Sequence, residues 1–141
     1  MNIKLLAAAV LLAVWGAANA QAARSAVYIE GTANDIQGQR LVYAVKEQIR
    51  RSAGMSLVDD EKESGFQARL ITEDVDNGNI RSEYAVVITM MNLTSPGSFP
   101  YFLDYTIGVC GANVVDQCAS TIAARIDRDA STIRSAFKSN K

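Results

Sequence analysis

Histidine is missing from all 141 residues, and with it the commonest general base and the commonest metal ligand. An excess of one charge is missing as well. Against 15 Asp+Glu stand 14 Lys+Arg, so there is no basic surplus to neutralise phosphates and no nucleic-acid partner is expected. Cysteine is down to two residues. There is no internal repeat, low-complexity stretch or linker, which with this length argues for one domain. What is present is 49% apolar and 21% charged residues, enough apolar content to exclude disorder and to build one core without a metal.

Met1 to Ala20 has the form of an export signal. Lys4 is its single charged side chain, an apolar run follows from Leu5 to Val14, and Ala18-Asn19-Ala20 has the small-x-small pattern of a cleavage site; Ala20-Gln21-Ala22 has the same form. The apolar stretch from Leu5 to Ala18, about 14 residues, is short of the ~20 that span a bilayer, so removal is expected rather than anchoring. Residues 21–141 are then one exported domain, periplasmic or secreted, with no membrane span after signal removal. Cys110 and Cys118 are an even complement in a chain bound for an oxidising compartment and are expected to form one bridge. A redox pair would use the tighter C-x-x-C spacing and a neighbouring basic group to lower a thiol pKa.

Hydrophobic periodicity then gives the elements. Ser25 to Gly31 alternates as a half-buried strand, and Asn34 and Asp35 are good helix caps. Leu41, Val42, Val45 and Ile49 recur at helical spacing from Gln39, and Gly54 is expected as a left-handed C-cap. Met55 to Val58 reads as a short strand, Asp59 to Gly65 as an acidic loop and Phe66 to Glu73 as a longer strand. Asn77-Gly78 supplies a tight turn into Ile80 to Leu93, whose apolar run Ala85–Met91 predicts a central strand covered on both faces. Pro96-Gly97 is another turn signal, and Phe99 to Val109 is the last strand. Asn113 is expected to cap a final helix, with Val115, Cys118, Ile122, Ile126, Ile133 and Phe137 as one apolar stripe. The predicted class is α+β in the order β-α-β-β-β-β-α, a mostly antiparallel sheet packed by two helices.

Within this pattern, the helix from Leu41, the link Ser52-Ala53-Gly54, the strand Met55–Asp59, the acidic loop and Phe66–Ile71 resemble the small α/β domain at the N-terminus of the periplasmic protein TolB and related envelope assembly factors. That resemblance implies a domain that binds other proteins and carries no active site. The Cys110, Cys118 pair is a departure from that family.

Chemistry-bearing clusters are sparse. Asp59, Asp60, Glu61 and Glu63 are dense enough for acid–base or hard-cation chemistry, but one loop run is ordinarily solvated surface, whereas catalytic carboxylates flank a cleft. Asp74, Asp76, Asn77 and Asn79 resemble a calcium loop, yet glycine falls at position five instead of six and position twelve is Ala85 instead of glutamate. Ser64 near Lys62 lacks the S-x-x-K spacing of a serine nucleophile. Asn92-Leu93-Thr94 has the form of a glycosylation sequon, unused behind a bacterial signal. No catalytic residue, metal or cofactor is expected.

The remaining candidates are Phe99, Tyr101, Phe102 and Tyr105, which concentrate aromatic area on the last strand. Plain alternation sends Tyr101 and Tyr105 to one face and Phe102 to the other, so either one face is exposed or two helices cover both. The expected function is a non-enzymatic periplasmic protein-binding module whose partner is another envelope or secreted protein. The alternative is a secreted inhibitor or immunity protein using Thr94–Pro100 or the acidic loop, and a third reading is a small hydrolase using Asp59 to Glu63.

Overall fold

The computed structural model describes residues 24–91 and 99–138; the signal segment, the sequon at Asn92 and the Pro96-Gly97 turn lie outside them. The elements follow the expected order: β1 (Ser25–Ala33), α1 (Ile36–Arg51), β2 (Met55–Val58), β3 (Phe66–Asp74), β4 (Arg81–Met91), β5 (Pro100–Gly111) and α2 (Val115–Lys138), with a 3-10 turn at Glu61–Glu63. They build an α+β domain of one five-stranded sheet in the order β2-β1-β3-β4-β5.

The sheet is mixed instead of mostly antiparallel. β1 runs parallel to both β2 and β3, while β4 is antiparallel to β3 and to β5. The reason is the α1 crossover, which returns the chain to the end where it started. β2 is short and offset: Val58 lies opposite Tyr28 and Phe66 opposite Val27. The acidic loop therefore needs only seven residues to step across β1, held by the Gly65 N–H on the Ala26 carbonyl at 3.1 Å.

α1 buries Leu41, Val45 and Ile49 as its spacing predicts, but it begins at Ile36, before the apolar period is visible. Its first turn is fixed by Asp35, whose carboxylate accepts the Gly38 N–H at 2.7 Å and the Thr72 hydroxyl at 3.0 Å, and also binds the Ser82 hydroxyl. The helix ends without a left-handed glycine. Ser52 caps it in an extended conformation, and its hydroxyl accepts the Gly54 and Met55 N–H groups at 3.1 and 3.2 Å. Gly54 instead lies close to α2, where Asp127 Oδ1 stands 2.7 Å from where a Cβ would lie and would have to shift for a larger residue. In the β3–β4 turn, Asn77 and Asn79 take the positive φ values, 53° and 54°.

α2 starts at Val115, one residue later than a cap at Asn113 implies. Its buried face is Val115, Ala119, Ile122, Ala123, Ile126 and Ala130; the alanines let it pack closely on α1, and Phe137 is exposed. Both helices lie on one side of the sheet. The core is the single cluster they enclose with Val27, Ile29, Phe66, Ala68, Leu70, Val86 and Ile88. The disulfide Cys110–Cys118 forms, with Cα atoms 6.2 Å apart, and ties the end of β5 to the first turn of α2.

Candidate functional site

Strand residues alternate between the helix side and the opposite side. On β4, Ser82, Val86 and Ile88 are buried under the helices, so Glu83, Ala85, Val87 and Thr89 point away from them. Register carries this across the sheet: Ile71, Ala85 and Ile107 form one row, Arg69, Val87 and Tyr105 the next, and Gln67, Thr89 and Phe102 a third. The expectation that β4 is covered on both faces is thus corrected. Both helices occupy one face, and the other has no covering element among the described residues.

β5 departs furthest from its sequence reading. Its helix side is Asp104, Thr106, Gly108 and Cys110, and its more apolar set, Tyr105, Ile107 and Val109, faces outward. A β-bulge falls between Ile88 and Thr89, whose partners are Asp104 and Phe102, leaving Leu103 as the extra residue. One inserted residue exchanges the faces of everything beyond it. Phe102 therefore joins Tyr105 on the open side, with ring centroids 6.4 Å apart. Tyr101, opposite Met90, falls on the other side. The predicted partition of these aromatics is corrected for this reason. Phe99 precedes the strand and is exposed.

Asp104 anchors the bulge. Its carboxylate accepts Arg125 Nε at 2.8 Å, Arg128 at 2.9 Å and the Tyr105 N–H at 2.8 Å. Partial burial pushes this carboxyl up, but the Tyr105 N–H and the two guanidinium groups outweigh it and hold it below the ordinary aspartate value. The bulge and the outward direction of Phe102 and Tyr105 are thus pinned to α2.

Six large apolar side chains lie exposed together on this face: Ile71, Val87, Phe102, Tyr105, Ile107 and Val109. Ile107 is 72% exposed, more than any other on the face. Sequence reasoning found two of them, Phe102 and Tyr105. It missed the others because alternation alone does not say which face the helices take. The face becomes polar toward β1, where Arg69 pairs with Glu30 at 2.6 Å. At the Val109 end it stops at Glu73 and Glu83, directly opposite each other in register. With Ile71, Ala85, Ile107 and Val109 they line a shallow groove of about 420 Å³.

The other candidates are surface features. Asp59, Asp60, Glu61 and Glu63 are exposed; Asp60 accepts the Lys62 N–H at 2.9 Å and Glu61 accepts Gln67 Nε2 at 2.9 Å. Ser64 is fully buried and donates to the Glu61 carbonyl at 2.7 Å. In the hairpin, Asp74 accepts the Asp76 and Asn79 N–H groups, Asp76 pairs with Arg81 at 2.6 Å, and Asn79 accepts the Ile36 N–H at 3.0 Å, so this loop is closed by its own bonds. Among the described residues no three His, Cys, Asp or Glu side chains converge to hold a metal, and no helix is long and apolar enough to cross a membrane.

No protein-family model matches the chain, and no curated protein matches it by sequence. Among solved structures it is similar to the hypothetical protein CT253 from Chlamydia trachomatis, at 6% identity and a TM-score of 0.42, over 76% of this chain and 93% of that one. It is also similar to a candidate lipoprotein from Caulobacter crescentus, at 13% identity and 0.37, over 77% and 91%. A third is the rare lipoprotein B from Shewanella oneidensis, at 15% identity and 0.37, over 79% and 98%. Likenesses this remote carry no functional argument.

Proposed function

We propose that the chain is a non-enzymatic protein-binding module of the bacterial envelope and that it binds through the uncovered face of β3, β4 and β5. The observation that carries this reading is the adjacent exposure of six large apolar side chains on hydrogen-bonded strands. Soluble monomers seldom expose contiguous apolar patches beyond a few hundred Å² unless something binds there. Aromatic rings on rigid backbone also bury much area at little entropic cost, which is why they concentrate at interface centres. Placement in the envelope rests on the export-signal form of Met1–Ala20 and on the bridge, which persists in an oxidising compartment. The resemblance of the Leu41–Ile71 segment to TolB-type domains points the same way.

The test is capture from envelope extract on immobilised protein, comparing Tyr105→Ala and Ile107→Asp with Tyr43→Ala on the exposed outside of α1. Partners should be lost with the first two and kept with the third. Unchanged capture by both face variants, or substrate turnover that disappears when one carboxylate is replaced, overturns the reading.

A further inference from the structure

The open face has a polarity along its strands. From Phe102 to Val109 it is apolar for about 20 Å, at ~3.3 Å per residue. It then meets Glu73 and Glu83, both exposed on the same side, in directly paired positions on β3 and β4. Like charges placed opposite each other weaken a strand pair. Neither carboxylate has an ion-pair or hydrogen-bond partner among the described residues, and the nearby cations are committed: Arg81 to Asp76 and Arg69 to Glu30.

We infer that the occupant of this face is an apolar protein segment carrying a lysine or arginine at the end that lies over Val109, between Glu73 and Glu83. The inference rests on the reading of the face as a docking surface and adds the chemistry and orientation of what docks. A cation there relieves the carboxylate repulsion while apolar side chains cover Ile71, Ile107 and Tyr105, so charge fixes direction and area supplies affinity. A second copy of the chain meets the requirement poorly. Face to face about a two-fold axis, it would set its own Glu73 and Glu83, or its Phe102 end, over this pair, and neither brings a free cation. An anionic lipid surface would add to the repulsion.

The experiment is selection of random twelve-residue peptides, displayed on phage, against the purified protein with its bridge intact. Ile107→Asp protein serves as counter-selection, and enriched peptides are then measured by calorimetry. Selected sequences should be apolar with lysine or arginine at one end. Their affinity should fall at least about tenfold for the Glu73→Lys, Glu83→Lys double variant and recover when the basic residue of the peptide is changed to glutamate. The double variant retains a like-charged pair, so its melting temperature should stay within about 2 °C of the parent and report that the fold is intact. Peptides lost with Ile107→Asp but indifferent to the charge reversal overturn the polarity and leave the docking face standing. No enrichment over the Ile107→Asp counter-selection overturns the docking face as well. Binding to phosphatidylglycerol vesicles that Ile107→Asp abolishes, or a concentration-dependent dimer that it dissociates, assigns the face to a lipid surface or to a second copy and refutes the inference.

Discussion

Replacing Asp35 probes a buried carboxylate that joins three elements. It caps α1 through the Gly38 N–H at 2.7 Å and reaches Thr72 on β3 and Ser82 on β4, all inside the protein. In Asp35→Ala the lost cap removes about 1 kcal/mol. The Thr72 and Ser82 hydroxyls, both buried, lose a charged acceptor, at roughly 1 kcal/mol or more each. A total near 3 kcal/mol is a large share of the ~5 to 15 kcal/mol that holds a domain of this size. Urea unfolding followed by far-UV circular dichroism should show a lower midpoint at unchanged slope.

The pH dependence adds a signed check. Burial pushes Asp35 up, but the hydrogen bonds from Ser82, Gly38 and Thr72 outweigh it and hold the carboxyl below its ordinary value of 3.8. A carboxyl depressed on folding contributes stability that is fully present above the unfolded value and is lost as pH falls through the folded one. The gap between the parent and Asp35→Asn should therefore be widest near neutral pH and narrow below pH 3.8. A loss under about 1 kcal/mol for Asp35→Ala, or a gap that widens in acid, would refute the reasoning.

Three further outcomes test the packing around the core. Gly38→Ala, which in an exposed helix would stabilise by ~1 kcal/mol, should instead destabilise by about 2 kcal/mol, because a Cβ there lies 1.8 Å from the Thr72 hydroxyl and 2.4 Å from Asp35 Oδ1; thermal melts of the variant decide the sign. Reducing the Cys110–Cys118 bridge should lower stability by about 2 to 3 kcal/mol while leaving the far-UV spectrum native, since it closes only a short loop on an existing core. Ile107→Asp should shift stability by less than about 0.5 kcal/mol, whereas Val86→Ala, one position away but on the helix side, should lose about 2 kcal/mol; denaturant midpoints of the two measure which face is core.

Element order was legible because periods of 3.6 and 2 survive in Leu41–Ile49, Phe66–Glu73 and Val115–Ile126. Helix ends were less so. The first turn of α1 is buried through Gln37 and Gly38 rather than through an apolar residue, and Ser52 does the work expected of Gly54. The site was legible only as an aromatic strand. Alternation fixes which residues share a face but not which face the helices choose, and β5 shows the larger apolar side chains to solvent while Asp104, Thr106 and Gly108 lie toward α2. The bulge at Leu103 is silent in composition, yet it moves Tyr101 and Phe102 to opposite sides from those predicted. Glu73 and Glu83 become a pair only through the β3–β4 register, ten residues apart in the chain.

The most direct measurement is site-specific photo-crosslinking in living cells, with benzoylphenylalanine placed singly at position 105, at position 107, or at position 46 on α1. Protein adducts of one discrete mass should form from 105 and 107 and be absent from 46. Equal adducts from all three positions, or none from the open face, would contradict a docking role for β3, β4 and β5.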